Sequence, residues 1–144
     1  MLTVQQLLSS KKVNKIYAVR PDQMVIEALE VMEAYNIGAV LVMEDEQLVG
    51  VFSERDYARK GIIKGRKAKS TPISEVMSSN PFFVSRQHTV EDCLKLMSDK
   101  RFRHLPVKEG DQVIGVLSIG DIVSAFINEQ AFRIESLEHF ITRS

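Results

Sequence analysis

The sequence predicts an α+β protein made of two tandem β-α-β-β-α units with an additional C-terminal helix. The first observation is an internal repeat: residues 19–57 align without a gap on residues 84–122, with 11 identities in 39 positions. The second is that, in each copy, a helical spacing of apolar residues gives way to two short apolar runs separated by a polar turn. A repeat of this length indicates two copies of one supersecondary unit rather than a solenoid.

The two copies are most alike in the motif Gly-Val-x-Ser-x-x-Asp, which spans Gly50 to Asp56 and then Gly115 to Asp121. In the first copy we predict a strand over residues 16–19, a helix capped by Asp22 and stopped by Asn36 and Gly38, strands over 39–43 and 48–52, and a helix from Ser53. The strand runs are continuously apolar, which is typical of sheets covered on both faces.

The second copy follows the same order. Thr89 with Asp92 forms a reciprocal capping pattern, strands follow at residues 105–107 and 113–117, and Ser118 opens the last helix. Residues 61–71 read as an exposed connection, and short helices at residues 4–8 and 72–77 lead into the two copies. Apolar residues after Asp121 can line helical faces, so packing on the body or on a second chain is expected to cover them.

Composition excludes several classes of function. The 19 basic and 19 acidic residues cancel, which argues against a dedicated nucleic-acid binder. We find no apolar run long enough to span a membrane, no signal peptide and no metal-ligand spacing. Cys93 is the sole cysteine and falls on an apolar helical face, so we expect it to pack in the core. These features favour a cytoplasmic protein without catalytic activity or a catalytic cofactor.

Two tandem units that each close with strand-Gly-Val-x-Ser-x-x-Asp-helix resemble a pair of CBS domains, or Bateman module. Arg103-His-Leu-Pro-Val107 and Val76-Met77 support the resemblance. Ser53-Glu-Arg-Asp-Tyr57 and the C-terminal extension are similar to small stand-alone bacterial members of the family. On this basis we predict CBS units over residues 11–68 and 76–132, packed as a pseudo-twofold pair, and a helical extension over 133–144.

The resemblance implies two clefts between the units that bind adenosine-containing ligands, with AMP or NAD(H) preferred over ATP, ADP or S-adenosylmethionine. In the family, the Asp of the motif accepts hydrogen bonds from the ribose hydroxyls and the Ser reaches phosphate or ribose. By analogy, one cleft combines Lys15, Ile16, Tyr17, Ile37, Gly38, Ala39, Ser118 and Asp121. The other combines Ser53, Arg55, Asp56, Asn80, Pro81, Phe82, Phe102, Arg103 and His104.

Each Ser-x-x-Asp also satisfies the helix capping rule, so capping alone remains an alternative to ligand binding. Two functions therefore stay open at this point. The first is a sensor that binds an adenine nucleotide and signals to an unidentified regulated protein, and the second is a ligand-independent dimerisation or scaffold module. In either case we expect a homodimer that binds neither nucleic acid nor membrane.

Overall fold

In the computed structural model, residues 2–10 and 15–143 are described, without the side chains of Phe140, Thr142 and Arg143. The predicted domain start at residue 11, the predicted end at residue 144 and the apolar side chain of Phe140 lie outside that part. The chain divides into two compact units. The first unit contains residues 15–82 and 110–114, and the second contains residues 2–10, 83–109 and 115–143. The predicted α+β class is confirmed.

The first unit is built on a four-stranded sheet. Its elements are β1 (Ala18–Val19), α2 (Val25–Tyr35), β2 (Ala39–Glu44), β3 (Gln47–Ser53) and β4 (Ser78–Ser79). The strand order is β1-β2-β3-β4, with β1 parallel to β2 and the other pairs antiparallel. One buried hydrophobic cluster of this unit contains Val19, Val25, Ala28, Met32, Val40, Val42, Phe52, Ile73 and Val76.

The helix predicted to open at Ser53 is present but is not a single regular α-helix. It begins as α3 (Glu54–Asp56), continues as a π-helix over Tyr57–Ile62, and gives way to turns. The connection that follows is largely exposed, as expected, but its end is anchored: Thr71 is 6% exposed. A short 3-10 helix over Ile73–Glu75 confirms the predicted turn of helix before the second copy.

Asp22 does not cap α2, so that prediction is wrong. The helix begins at Val25, and its first N–H groups donate to backbone carbonyls of the connection: Val25 to Thr71 (2.9 Å) and Ile26 to Ala68 (3.0 Å). Glu27 supplies the side-chain cap by accepting from the Met24 N–H at 2.7 Å. With these donors satisfied, Asp22 is left at the surface in an ion pair with Arg20. The predicted stop is confirmed, because Asn36 is left-handed with φ of 52°.

The second unit contains α1 (Val4–Ser10), α4 (Val90–Lys100), β5 (His104–Glu109), β6 (Gln112–Ser118) and α5 (Ile119–Arg143). Strands β5 and β6 form a two-stranded sheet. The first strand of this copy is reduced to one parallel bridge between Val84 and Val107, at the position equivalent to the Val19–Val42 pair of the first copy. The chain turns away at Ser85, whose N–H donates to the His88 ring, so only Val84 runs beside β5. Thr89 and Asp92 cap α4 reciprocally, as predicted.

The two segments that lead into the copies are exchanged between the units. Helix α1 precedes the first copy but belongs to the second unit, where the Val4 N–H donates to His88 and the Val90 N–H donates to Leu2. Residues 72–77 precede the second copy but close the first unit, with Ile73 in its core. Each unit therefore has a leading segment, but that segment belongs in sequence to the other copy.

Helix α5 is a single helix of 25 residues that runs across the predicted boundary at residue 133. Its buried face near the start contains Ile122 and Ala125. At a rise of 1.5 Å per residue, it is about 37 Å long. The last helix of the second copy and the predicted C-terminal extension are thus one element.

Candidate functional site

The first copy of the motif forms a closed capping box at the end of β3. Ser53 is in the extended conformation, its Oγ accepts from the Asp56 N–H at 3.2 Å, and its own N–H donates to Asp56 Oδ2 at 3.0 Å. The Ser53 hydroxyl also lies 3.1 Å from Asp56 Oδ2. Ser53 and Asp56 are therefore held face to face by the reciprocal pattern that begins a helix.

The other carboxylate oxygen of Asp56 contacts residues further along the chain. Ser78 Oγ donates to Asp56 Oδ1 at 2.9 Å, and Lys60 Nζ lies 3.7 Å from the same oxygen. Lys60 Nζ also donates to the Met77 carbonyl at 3.2 Å. The Asp56 side chain is only 13% exposed. Asp56 thus joins β3, β4 and the π-helix, and both of its oxygens accept from protein donors.

Gly50 brings Ser78 to this carboxylate. Strand β4 pairs with β3 through Gly50–Ser79 and Val51–Ser78. A Cβ at Gly50 would lie 2.6 Å from Met77 Sδ and 3.0 Å from the Ser78 carbonyl oxygen. The close backbone approach that a glycine permits is therefore made here by the chain's own segment 77–78.

The second copy of the motif repeats the box at the start of α5. The Ser118 N–H donates to Asp121 Oδ2 at 2.9 Å, and the Asp121 N–H donates to Ser118 Oγ at 3.1 Å. Here the motif opens on a groove with a volume of about 780 Å³ inside the second unit. The groove is lined by Leu2, Gln6, Leu7, Ser10, Ser118, Gly120, Asp121, Ser124, Ala125, Asn128, Glu129 and Phe132.

The groove has hydroxyl and amide groups from its serine, glutamine and asparagine side chains and apolar surface from its leucine, alanine and phenylalanine side chains. Its mouth has Gly120 at the position where the first copy has Arg55, so the two copies differ in charge at the motif. A volume of this size is within the usual range of about 300–1,000 Å³ for small-molecule sites. The groove can therefore hold a nucleoside-sized ligand beside Asp121.

The predicted residues near the first strand form an aromatic cluster in the first unit. The Tyr17 and Tyr35 rings are stacked with centroids 4.2 Å apart, and Lys15 Nζ lies 5.5 and 5.7 Å from their centres. Sequence reasoning named Lys15, Ile16 and Tyr17 but missed Tyr35, because no periodic pattern relates a strand residue to the end of the next helix. Ile16, which lies between Lys15 and Tyr17 in the sequence, is half-buried.

The residues before β2 and β5 lie next to the motif of their own copy. Ala39 pairs with Ser53, and the Gly38 carbonyl accepts from the Glu54 N–H at 3.1 Å. Ile37 and Gly38 share a hollow of about 370 Å³ with Glu54. In the second unit, the Arg103 carbonyl accepts from the Ile119 N–H at 2.8 Å, which places residues 102–104 beside Ser118.

The remaining predicted residues follow β4 or lie on the surface. Asn80 is left-handed, with φ of 51°, and turns the chain toward Pro81 and the exposed Phe82. Arg55 is exposed. The predicted groupings combine residues of the first unit with residues of the second, and those groupings stay predictions. Ser78, which the structure brings to Asp56 from 22 positions away, was missed because its sequence context carries no motif.

Nothing in the described ranges suggests metal or thiol chemistry. Residues 2–10 and 15–143 contain no group of three His, Cys, Asp or Glu side chains placed to hold a metal ion. Cys93 is fully buried, as expected, and burial together with the nearby Asp92 charge raises its thiol pKa to about 11. A thiol in this state is a poor nucleophile. No helix in this part of the chain has the length and apolar character that a membrane crossing requires.

Comparison with known proteins gives the class. The CBS domain family model matches twice, at residues 7–62 and 73–128. The chain belongs to the CBS-domain family and carries two CBS domains in tandem, the arrangement of a regulatory CBS pair. The crystal structure of the CBS domain NE2398 is similar over 87% of this chain and 97% of that chain, at 44% identity and a TM-score of 0.82.

Two further relatives extend the comparison. The CBS domain-containing protein CBSX3, mitochondrial, of Arabidopsis thaliana is 36% identical over 125 residues, which cover 83% of this chain but only 61% of that protein. The crystal structure of CBSX2 in complex with AMP covers 89% of this chain and 98% of that chain, with a TM-score of 0.72. Because its identity is 24%, this likeness concerns the fold alone.

Proposed function

We propose that this chain is a non-catalytic sensor that binds an adenine nucleotide and transmits its occupancy to a regulated protein. AMP is the first candidate ligand, NAD(H) the second, and ATP, ADP and S-adenosylmethionine come after them. The observation that carries the proposal is the Ser118–Asp121 box at the mouth of the 780 Å³ groove. The AMP complex of CBSX2 supports the choice of ligand at the level of the fold.

The chemistry of this motif suits a nucleoside monophosphate. A carboxylate accepts hydrogen bonds only, so Asp121 can take both protons of a vicinal ribose diol. The start of the 25-residue α5 carries the positive end of the helix dipole, which attracts a phosphate. Polar side chains at Gln6, Ser124 and Asn128 can meet further ligand atoms.

We expect the two motifs to contribute unequally. Each Asp56 oxygen already accepts from the chain, through Ser53 on one side and Ser78 on the other. A ribose at Asp56 must displace the Ser78 hydroxyl or share the oxygen with it. In this proposal Asp121 is the first candidate for the ribose acceptor because it lines the groove of about 780 Å³, and Asp56 serves as a structural tie.

The proposal is tested by thermal shift and calorimetric titration with AMP, NAD, ATP and S-adenosylmethionine. At a ligand concentration 100 times the dissociation constant, binding adds about 2.7 kcal/mol to the free energy of unfolding. Asp121→Asn is expected to abolish this gain. Asp92→Asn is the matched control, because Asp92 holds the same capping position in α4 as Asp121 in α5.

The control separates a lost cap from a lost ligand contact. Both substitutions are expected to cost similar stability without nucleotide, but only Asp121→Asn should lose the response to nucleotide. If no nucleotide at millimolar concentration shifts the wild-type transition, or if Asp121→Asn responds like Asp92→Asn, the proposal is wrong.

A second candidate function is a ligand-independent dimerisation module. The observation in its favour is the row of exposed apolar side chains on α5, including Ile127, Ile134 and Leu137. Under this alternative, Asp56→Ala and Asp121→Ala leave partner binding intact. Co-precipitation of a regulated partner by both variants, with and without AMP, distinguishes the two candidates.

A further inference from the structure

The outer face of α5 carries a continuous apolar stripe. Val123, Ile127, Ile134 and Leu137 are exposed by 38%, 57%, 58% and 61%. From residue 131 to residue 139 every side chain is exposed, so the body of the unit does not cover this part of the helix. A helical segment of about three turns without packing is marginal in water. The stripe therefore calls for an occupant that stabilises the helix.

The spacing of the stripe is that of a coiled-coil seam. Residues 123, 127, 130, 134, 137 and 141 follow one another at steps of 4, 3, 4, 3 and 4. This is the a/d alternation of a heptad repeat. We call these six residues the α5 seam.

The residue types in the seam favour a coil of two strands. Ile127, Ile134 and Ile141 occupy the a positions, while Val123, Gln130 and Leu137 occupy the d positions. Within a parallel coil, β-branched residues at a with Leu at d favour two strands, and the seam has Ile at each a position and Leu at one d position. The single polar residue, Gln130, occupies a d position between apolar layers, where a polar pair restricts the register at a cost in stability.

The charges that flank the seam point to the same partner. In a parallel pair, a g residue faces the e residue five positions later on the other helix. Arg133 is at g and Glu138 is at e, so each Arg133 meets a Glu138 of opposite charge. Arg133 also holds Glu129 within its own helix at 3.1 Å, and its guanidinium has enough donors for both carboxylates.

We propose that the α5 seam binds the α5 seam of a second copy of this chain, in parallel and in register, as a short two-stranded coiled coil. The surface is self-complementary, which is what a twofold interface requires. The contact spans about 27 Å of helix, which is fewer than three heptads, so assembly is expected to depend on protein concentration. This inference deepens the dimerisation candidate and does not depend on nucleotide binding.

The test is sedimentation of the full chain over a wide range of concentrations. The wild type is expected to form a dimer, and Ile134→Glu is expected to weaken the dimer by roughly tenfold or more because two charges enter an apolar layer. Phe132→Glu is the matched control. Phe132 is 69% exposed on the same helix but lies at an f position outside the seam, so this variant should dimerise like the wild type.

Strand direction is tested by disulfide cross-linking. Gln130→Cys and Leu137→Cys are made separately, and Cys93 does not compete because it is fully buried. In a parallel coil each new cysteine faces its own copy, so both variants form covalent dimers. In an antiparallel pair only a residue on the twofold axis can do so. Arg133→Glu should weaken the dimer, and adding Glu138→Arg should restore part of the loss.

A monomeric wild type, equal effects of Ile134→Glu and Phe132→Glu, or cross-linking of only one cysteine variant would each overturn the proposal. The helical signal in circular dichroism checks that the variants are folded. The nucleotide response of Ile134→Glu is measured in parallel. If the nucleotide response persists while dimerisation is lost, the ligand site does not depend on the interface. A negative result for one of the two proposals then leaves the other standing.

Discussion

Replacing Gly50 with alanine is expected to destabilise the first unit more than the equivalent change at Gly115. A Cβ at Gly50 would lie 2.6 Å from Met77 Sδ, 3.1 Å from Met77 Cγ and 3.0 Å from the Ser78 carbonyl oxygen. The last of these atoms belongs to the backbone that pairs β4 with β3. It cannot retreat without weakening the Gly50–Ser79 and Val51–Ser78 pairs.

At Gly115 the corresponding Cβ meets only the side chain of Leu8, with Cδ2 at 2.8 Å and Cδ1 at 3.6 Å. A leucine methyl can move by rotation, whereas a paired backbone cannot. Overpacking costs about 1–3 kcal/mol, and alanine returns about 0.4–1 kcal/mol by restricting the unfolded chain. We therefore expect a net loss of about 1–2 kcal/mol for Gly50→Ala and less than about 1 kcal/mol for Gly115→Ala.

Urea unfolding of the two variants and the wild type measures this difference. An unchanged slope of the free energy with denaturant would show that the change lies in the native state. In thermal unfolding each kcal/mol corresponds to roughly 2–4 °C. If Gly115→Ala is as costly as Gly50→Ala, or if Gly50→Ala is stabilising, then the approach of residues 77–78 to β3 is not the constraint we infer.

Three further outcomes are expected. Cys93 should resist alkylation in the folded protein near neutral pH, because burial and the Asp92 charge raise its thiol pKa to about 11, and should react once urea exposes it; rapid labelling of the native chain would contradict this. Hydrogen bonds from Thr89 lower the pKa of Asp92 in the folded protein. The stabilisation that the ionised carboxylate gives to the fold is therefore fully present above the ordinary pKa of 3.8 and is lost as the pH falls through the lower pKa of the folded state. Asp92→Asn should accordingly cost about 1 kcal/mol near neutral pH, with the difference from wild type closing in acid titration. Glu27→Ala should cost about 1 kcal/mol and Asp22→Ala less than about 0.5 kcal/mol in urea unfolding, and the opposite order would restore Asp22 as the cap of α2.

The sequence predicted structural features correctly where the interactions that produce them join residues close together in the chain. The Thr89–Asp92 cap was predicted correctly because donor and acceptor are three residues apart and no other group competes for them. The apolar runs located β2, β3, β5 and β6 within one or two residues, since each run must be buried as a strand. The left-handed stop at Asn36 was visible for the same reason.

Predictions failed where the cause lies far along the chain. The first N–H groups of α2 are satisfied by carbonyls at Ala68 and Thr71, more than 40 positions away, and nothing near Asp22 indicates this. Helical periodicity showed that α1 has a face to bury but not which copy would receive it. The hydrogen bond from Ser78 to Asp56 depends on the two-residue strand β4, which is too short to leave a pattern.

Because the leading segments are exchanged between the units, the chain cannot be divided into its two sequence copies without separating core residues from their unit. A break in the polypeptide near residue 70 would leave the N-terminal fragment without Ile73 and Val76, and would leave the C-terminal fragment without Val4, Leu7 and Leu8. Each fragment would lack core residues that only the other carries. Neither half is then an autonomous module, and the two should recover structure only when they are mixed.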